Sequence, residues 1–330
     1  MAGTGTAHLR PESETMLRVE DLVVEFPAGR QKVHAVSGVS LDIRKGETLG
    51  LVGESGCGKS TTGKAIIQLP APTSGRVRFE GNDLTGVKGK TLRRVRTRLQ
   101  LIFQDPISSL NPRRKVGDIL AEPLRIWGRG TKAEQKAKVR EMLDAVGLDP
   151  DVAADKRPHQ FSGGQCQRIS IARALVMEPE LIICDEPVSA LDVSVQAQIL
   201  NLLDELKARY DLTLVFIAHD LAVVKHVSTR VAVMYLGKIC EVGDPEALYA
   251  NPAHPYTAAL LASIPVPDPA VRPDEAELLT GDLPSPVDPP SGCRFRTRCP
   301  RAQAECARTE PEIRQVGPDQ FVACHFPLTG

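Results

Sequence analysis

The sequence predicts an α/β fold in which a largely parallel sheet is covered by helices. Apolar runs of strand length alternate with stretches whose apolar residues recur at helical spacing, as repeated strand–helix–strand units require. A glycine-rich stretch at residues 53–60 joins one such strand to the helix that follows it. At 330 residues, the chain is long enough for one large domain and a smaller one.

The individual elements follow from the apolar pattern in chain order. Residues 1–16 are small and polar, and we expect them to be disordered. Residues 17–26 and 33–43 are rich in Val, Ile and Leu, which predicts two strands separated by a Pro-Ala-Gly turn. Further strands are predicted at residues 48–52, 101–103, 181–184, 214–217 and 231–234, and helices at 60–69, over most of 111–177, and along Val195, Ile199, Leu202, Leu203 and Leu206.

Composition argues against several classes of partner. The formal net charge is zero, so no bulk field selects nucleic acid or a membrane surface. Aromatic residues make up 4% of the chain, which disfavours a platform for stacking bases. The basic run at residues 88–98 is interpreted as the solvated face of a helix rather than a phosphate-backbone site.

The chain contains no run of 18 apolar residues, so we expect no membrane span. Its N-terminus lacks the basic start and apolar core of a signal peptide, and we therefore expect a cytosolic protein. In that compartment the eight cysteines are expected to be thiols or metal ligands rather than disulfides.

Residues 53–60 match the phosphate-binding pattern Gly-x-x-x-x-Gly-Lys-Ser between a strand and a helix, the context that this motif needs. Glycines let backbone N–H groups turn toward phosphate oxygens, and the helix N-terminus adds partial positive charge. Lys59 would bridge the β- and γ-phosphates, and Ser60 would ligate Mg²⁺. The residues predicted to contact ATP here are Gly53, Ser55, Gly56, Cys57, Gly58, Lys59, Ser60 and Thr61.

An acidic pair, Asp185 and Glu186, follows the apolar strand at residues 181–184. Asp185 would hold Mg²⁺ directly or through water, and Glu186 would polarise the attacking water as a general base. The alternative is a surface acidic pair after a core strand. The full phosphate-binding motif in the same chain favours the catalytic interpretation.

With Phe161-Ser-Gly-Gly-Gln165 between these two motifs, the chain resembles the nucleotide-binding subunit of an ATP-binding-cassette (ABC) transporter. The resemblance covers residues 17 to about 243. It implies a P-loop NTPase fold with a RecA-like core, an antiparallel β-subdomain and a helical insert near residues 105–177. It also implies two composite ATP sites, each completed by the signature loop of the opposite subunit.

The same resemblance assigns roles to several further residues. Gln104 matches the Q-loop glutamine, which binds Mg²⁺, senses the γ-phosphate and links the site to the membrane partner. His219 matches the switch histidine, and Phe26 the aromatic residue that stacks on adenine. Residues 189–192 match the D-loop that crosses the dimer interface, and Asp192 is its last residue. The signature residues that face the partner's ATP would be Ser162, Gly163, Gly164 and Gln165.

Three later segments, at residues 251–260, 281–286 and 290–300, resemble ATPases of oligopeptide and dipeptide importers, and residues 184–196 resemble the F-type subunit within that family. That type pairs with a related D-type ATPase, two transmembrane permeases and an extracytoplasmic solute-binding protein, at the cytoplasmic face of the inner membrane, and involves no nucleic acid. Three alternatives remain: an importer of nickel or another solute, a soluble cassette protein acting on ribosomes or DNA, and a redox or regulatory protein dominated by its tail.

We expect residues 17–262 to form the nucleotide-binding domain and residues 263–330 a small C-terminal domain, because prolines recur from Ile264 to Pro290 and half of the cysteines follow. In related importer ATPases, four cysteines so arranged are associated with a [4Fe–4S] cluster. We therefore predict a [4Fe–4S] cluster. The alternatives are Zn²⁺ and free thiols, and the absence of Cys-x-x-Cys pairs, the usual zinc signal, argues against Zn²⁺. The predicted ligands are Cys293, Cys299, Cys306 and Cys324.

Cys57 differs from these because it lies in the glycine-rich loop. Beside Lys59 and a helix start, its pKa is expected to be lowered. We therefore expect alkylation of Cys57 to block ATP binding, and ATP to protect it.

Overall fold

The structure, a computed structural model, describes residues 5–264 and 281–328. It contains two compact units. The first comprises the chain up to Val87 and again from Phe216 onward, and the second is Lys88–Val215. The C-terminal segment (residues 281–328) thus belongs to the same unit as the glycine-rich loop, which differs from the boundary expected at residue 263. Most of the predicted proline-rich linker lies outside the described residues.

In the described residues, the strands are β1 (Leu17–Ala28), β2 (Gln31–Ile43), β3 (Thr48–Val52), β4 (Ser74–Phe79), β5 (Asn82–Asp83), β6 (Leu99–Ile102), β7 (Leu181–Asp185), β8 (Thr213–Ala218), β9 (Arg230–Tyr235), β10 (Lys238–Gly243), β11 (Arg314–Gly317) and β12 (Gln320–Val322). The α-helices are α1 (Lys59–Ile66), α2 (Gly89–Arg98), α3 (Pro106–Ser109), α4 (Val116–Ile126), α5 (Lys132–Ala145), α6 (Pro150–Ala153), α7 (Gly163–Leu175), α8 (Val193–Tyr210), α9 (Leu221–Val227), α10 (Pro245–Ala250), α11 (Pro255–Ala262) and α12 (Ala304–Arg308).

The first unit contains the antiparallel sheet that the resemblance implied. Its strand order is β2-β1-β4-β5, and β1 pairs with β2 from Leu17 opposite Ile43 to Ala28 opposite Gln31. Burial alternates along the start of β1, so one face of the strand packs on the core while the other faces outward. The apolar pattern predicted β1 and β2, but not the shorter strands β4 and β5.

The same unit contains strands in the order β11-β12-β10-β9-β3. Strand β3 is buried at every residue and runs parallel to β9, as expected of a strand covered on both faces. Strand β10 pairs antiparallel with β9 and with β12, which is formed by the C-terminal segment. Through this pairing the C-terminal segment joins the first unit.

The second unit combines a parallel strand pair with the predicted helical insert. Strand β6 pairs with β7 from Leu99 opposite Leu181 to Ile102 opposite Cys184. Helices α3 to α7 follow one another between these two strands. The basic run forms α2, whose last residue Arg98 is paired with Glu180 through two hydrogen bonds of 2.5 and 2.6 Å.

The expectation of a disordered N-terminus is wrong for residues 5–16. His8 is buried and its Nε2 donates to the Ser40 carbonyl oxygen at 2.8 Å. Arg10 Nε lies 2.6 Å from Asp42 Oδ2, and Arg230 Nη1 lies 3.1 Å from Asp42 Oδ1. Asp42 is fully buried, so these cations supply the partners that a buried carboxylate needs. Residues 1–4 lie outside the described range.

Arg10→Met should lower the free energy of unfolding by about 1–3 kcal/mol, because it leaves buried Asp42 with one fewer cationic partner. Denaturant unfolding of the full chain measures the change. Arg44→Met is the matched control, since Arg44 pairs with Glu14 at an exposed position and should cost no more than about 0.5 kcal/mol. Equally small effects of both substitutions would restore the expectation of a disordered N-terminus.

Candidate nucleotide-binding site

The glycine-rich loop connects β3 to α1, and its path depends on two glycines. Gly53 has φ of +151°, and a Cβ there would lie 2.0 Å from the Met234 carbonyl oxygen. Gly58 has φ of +107°, and a Cβ there would lie 2.2 Å from the Ala35 carbonyl oxygen. Side chains at either position would therefore force backbone apart, which is the steric reason for glycine in a phosphate-binding loop.

Lys59 begins α1 with its ammonium group turned back onto the loop. Its Nζ donates to the carbonyl oxygens of Gly53 at 2.7 Å and of Glu54 at 2.9 Å, and the residue is buried. A phosphate entering the loop would take the place of these acceptors. Ser60 and Thr61 follow in the first turn of α1, while Ser55 and Gly56 are exposed at the tip of the loop.

The predicted lowering of the Cys57 pKa is wrong. The residue is 1% exposed, and burial raises the pKa of its thiol. The Lys59 charge and backbone hydrogen bonding act in the opposite direction but are weaker than the burial. Sequence proximity to a lysine and a helix start indicated the charges correctly, but not the burial that outweighs them.

In the second unit, the predicted acidic pair stands at the end of β7. Asp185 is buried, and Glu186 follows it with φ of +47°, a left-handed conformation that is uncommon for a non-glycine residue. Gln104 Nε2 donates to Glu186 Oε2 at 2.8 Å, so the residue predicted to sense the γ-phosphate lies beside the predicted general base. The hydroxyl of Ser189 donates to the Glu186 carbonyl oxygen at 3.1 Å, which ties the predicted D-loop to this pair.

The Ser-Gly-Gly-Gln loop caps the N-terminus of α7. The Ser162 hydroxyl accepts from the Gln165 N–H at 3.3 Å, and the Gln165 side-chain oxygen accepts from the Ser162 N–H at 3.0 Å. A Cβ at Gly164 would lie 2.5 Å from Val195 Cγ1, so α8 packs close against the loop. Gly163 and the following N–H groups open a 13-residue helix, which suits binding of an anion.

The remaining predicted residues are placed as follows. Phe26 lies near the end of β1 opposite Val33 and is 38% exposed, which leaves ring surface for stacking. His219 follows β8 and is exposed, and Asp192 is the exposed residue before α8. Ser60 and Asp185 supply the oxygen donors that Mg²⁺ prefers, so their chemistry fits that ion. The phosphate-binding loop, Phe26, His219 and the four tail cysteines belong to the first unit, and the other predicted site residues belong to the second.

Sequence reasoning missed two residues that contact the phosphate-binding loop. The Glu54 N–H donates to Tyr256 Oη at 2.8 Å. Arg298 forms two parallel bonds with the Glu54 carboxylate, Nη1 to Oε2 at 2.6 Å and Nη2 to Oε1 at 3.0 Å. No local pattern connects positions so far apart in the chain; the importer-type segments that contain Tyr256 and Arg298 were the available signal.

The four tail cysteines lie in one neighbourhood without forming a metal site. Burial raises the pKa of Cys293 to about 11, and the charges of the other three tail thiols contribute in the same direction. However, within residues 5–264 and 281–328 no three or more His, Cys, Asp or Glu side chains are placed to hold a metal ion together. The side-chain positions therefore do not fit the predicted cluster as they stand.

A glycine-rich phosphate loop after a buried strand, an acidic pair after another, and a capped Ser-Gly-Gly-Gln helix define an ATP-binding cassette. Family comparison agrees: residues 36–189 match the family model for ABC transporters, and residues 240–306 match the C-terminal region of oligopeptide/dipeptide transporters.

Two relatives are similar over nearly the whole chain. The oligopeptide transport ATP-binding protein OppF of Salmonella typhimurium is 53% identical over 313 residues, 92% of this chain and 93% of the relative. Its namesake in Escherichia coli K12 is 53% identical over 311 residues, 91% and 93% of the two chains. The chain therefore belongs to the ABC transporter family, among its ATP-binding subunits.

Solved structures agree with this fold. CbiO1 of Clostridium perfringens, part of an ABC transporter complex, has a TM-score of 0.64 and 29% identity over 72% of this chain and 91% of its own. An ATP-binding cassette solved as a dimer in a post-hydrolysis state with ADP and Pi has the same TM-score and identity, over 70% of this chain and 99% of its own.

Among the described residues, no helix has both the length and the apolar character that crossing a bilayer requires.

In the metal-free chain, Cys57 should react with a small neutral alkylating reagent on the order of tenfold more slowly than Cys299 at pH 7, because Cys57 is buried whereas Cys299 is partly exposed. The raised pKa keeps Cys57 protonated near neutral pH, so its rate should increase as the pH rises. Site-resolved mass spectrometry at pH 7 and pH 9 measures both rates, with the denatured chain as the reference. Faster labelling of Cys57 than of Cys299 at pH 7 would support a lowered pKa instead.

Proposed function

We propose that this chain hydrolyses ATP to drive import of oligopeptides or dipeptides through a membrane transporter. The supporting observation is the similarity to named oligopeptide transport ATP-binding proteins over more than nine-tenths of the chain, together with the matched C-terminal region at residues 240–306. The phosphate-binding loop and the Gln104–Glu186 pair supply the chemistry that such a subunit needs.

In this proposal, the residues that hold ATP and those that act on water have distinct roles. Lys59 would transfer its hydrogen bonds from loop carbonyls to the β- and γ-phosphates. Glu186 would accept a proton from the attacking water. Gln104 donates a hydrogen bond to Glu186 and would orient its carboxylate. Ser60, Gln104 and Asp185 would hold Mg²⁺, which neutralises charge on the phosphates when bound. His219 would contact the γ-phosphate and Phe26 would stack on adenine.

The second half of each ATP site would come from a related, non-identical ATPase of the D-type. The N-terminus of α7, with Ser162, Gly163, Gly164 and Gln165, would face the γ-phosphate that the partner holds. Asp192 would lie at the interface between the two subunits. A related cassette solved as a dimer with ADP and Pi supports this arrangement. ATP would then favour the closed dimer because it binds that state more tightly.

The other partners would be two permeases and an extracytoplasmic solute-binding protein, with this chain at the cytoplasmic face of the membrane. Next to Gln104, Phe103 and Ile107 are exposed apolar side chains at 40% and 61%. Such a patch suits the docking of an apolar permease helix. Import of nickel or another solute would leave the ATP chemistry unchanged and alter only what the transporter carries.

Glu186→Gln should reduce ATP hydrolysis by the assembled transporter by at least about 100-fold, because the amide cannot accept the proton of the attacking water. ATP should stay bound, and peptide uptake into proteoliposomes should stop. Glu178→Gln is the matched control, since Glu178 pairs with Lys138 on the surface of the same unit and should leave activity unchanged. Unimpaired hydrolysis by Glu186→Gln would overturn the assignment, whereas uptake of nickel instead of peptides would overturn only the proposed cargo.

We also propose that the C-terminal segment binds the predicted [4Fe–4S] cluster. Its support is the number and type of donors, four thiols at Cys293, Cys299, Cys306 and Cys324, and the fact that charges on neighbouring tail thiols contribute to raising the pKa of Cys293, Cys299 and Cys324. Cluster binding would require these side chains to reorient from their positions in the structure. Its role would be structural, holding the C-terminal segment together.

Anaerobically purified chain should then contain about four iron and four sulfide per molecule and absorb in the visible range. Cys306→Ser should lose the iron, whereas Cys166→Ser, a buried cysteine of the second unit, should keep it. Zinc in place of iron would support the alternative metal. A colourless, metal-free and folded protein would contradict any metal site in the tail.

A further inference from the structure

The phosphate-binding loop is held from outside its own motif, at Glu54. Tyr256 Oη accepts the Glu54 N–H at 2.8 Å, while Arg298 binds the Glu54 carboxylate through two hydrogen bonds of 2.6 and 3.0 Å. The Arg298 side chain is 6% exposed and that of Glu54 25%, so the pair is largely removed from water. Charge-assisted, two-point bonds of this kind are strong and fix orientation as well as distance.

The two residues that hold Glu54 are themselves fixed by an aromatic cluster. Tyr256 packs edge-on against Tyr235 with ring centroids 4.7 Å apart, and Phe295 lies 5.2 Å from Tyr235 and 5.3 Å from Tyr256. The Arg298 guanidinium lies 5.9 Å from the centre of the Tyr235 ring. Such packing restricts the Tyr256 hydroxyl and the Arg298 side chain to a narrow range of positions.

Hydrogen bonds anchor the start of α11, which carries Tyr256. Burial lowers the pKa of His254 to about 3, so its ring is neutral and Nδ1 accepts the Tyr256 N–H at 3.0 Å. The buried Glu241 carboxylate accepts the N–H groups of Ala253 and His254 at 2.8 and 2.9 Å. The position of the hydroxyl therefore depends on β10, which contains Glu241.

The C-terminal segment also contacts the surroundings of the loop at a second place. The His34 N–H donates to the Pro286 carbonyl oxygen at 2.9 Å. A Cβ added at Gly56 would lie 4.0 Å from Leu283 Cδ2. The exposed tip of the loop and its second residue, Glu54, thus both have neighbours in this segment.

Glu54 matters for nucleotide binding because its backbone is part of the loop that Lys59 contacts. Lys59 Nζ donates to the carbonyl oxygens of Gly53 and Glu54. Loss of the Arg298 partner would free this stretch of backbone and leave an unpaired carboxylate beside the phosphates. Both effects weaken the binding of a highly charged anion.

We propose that Arg298 and Tyr256 are positioning residues that hold the phosphate-binding loop through Glu54 and thereby set its affinity for ATP. They act on the nucleotide through the loop, without contacting it. Through Arg298, the C-terminal segment would therefore contribute to the ATP affinity of the site. The proposal rests on ATP binding by the loop, and not on the identity of the transported solute.

The test measures equilibrium binding of Mg²⁺-ATP to the full chain. Arg298→Ala should raise the Kd for ATP about tenfold, and Tyr256→Phe, which removes one hydroxyl and keeps the ring, about threefold. In the assembled transporter, the KM for ATP should rise by similar factors while kcat at saturating ATP stays within about twofold. Arg296→Ala is the matched control, since Arg296 bonds Ser291 within the C-terminal segment and should leave both constants unchanged.

A double-mutant cycle distinguishes loss of the Arg298–Glu54 pair from a general disturbance of the fold. Because Glu54→Gln removes the charge that Arg298 neutralises, adding Arg298→Ala to it should raise the Kd less than about threefold. If Arg298→Ala does not fold, the Kd and KM for ATP of Arg298→Lys and Tyr256→Phe test the proposal instead. A lower melting temperature with Kd and KM within about twofold of the parent would mean a purely structural role and overturn the proposal. ATP binding by the unmodified chain tests the loop's function separately.

Discussion

The site depends on the close approach of the glycine-rich loop to two strands. Gly53 lies against the Met234 carbonyl in β9, and Gly58 against the Ala35 carbonyl in β2. The Gly237 N–H, in the turn after β9, donates to the Cys57 carbonyl oxygen at 2.7 Å. The loop therefore takes its shape from neighbouring strands of the fold, and these close contacts restrict the positions of its backbone N–H groups. Preorganisation of this kind reduces the entropic cost of binding an anion.

Those parts of the fold that depend on local pattern could be predicted from the sequence. Strand β3 has the predicted bounds, and β9 extends its prediction by one residue at each end, because a short apolar run rich in Val and Leu is typical of a buried strand. The phosphate-binding loop and the caps of α7 are encoded within a few residues. Pairing of β12 with β10 could not be predicted, since it joins positions about 80 residues apart through strands of three to six residues.

The errors have a common physical cause. Order in residues 5–16 depends on buried Asp42, and the pKa of Cys57 depends on burial by the surrounding structure. Neither is visible in the local sequence, where the first segment is polar and the second is beside a lysine. Burial converts the same residue types into different chemistry. The contact of Arg298 with Glu54 was missed for the same reason, because only the folded chain brings the two side chains together.

Near both ends of the chain, an arginine pairs with a largely buried carboxylate of the first unit. Near the N-terminus, Arg10 neutralises a carboxylate at the end of β2, and near the C-terminus Arg298 neutralises one in the loop after β3. The formal net charge of zero gives no information about these ion pairs, because it counts charges without showing which ones are paired. Removing either arginine would leave a largely buried carboxylate with one fewer cationic partner, which costs more than the net strength of the pair. At Asp42 that cost falls on stability. At Glu54 it falls on the backbone that Lys59 contacts, so the same interaction has a consequence for ATP binding only at the second position.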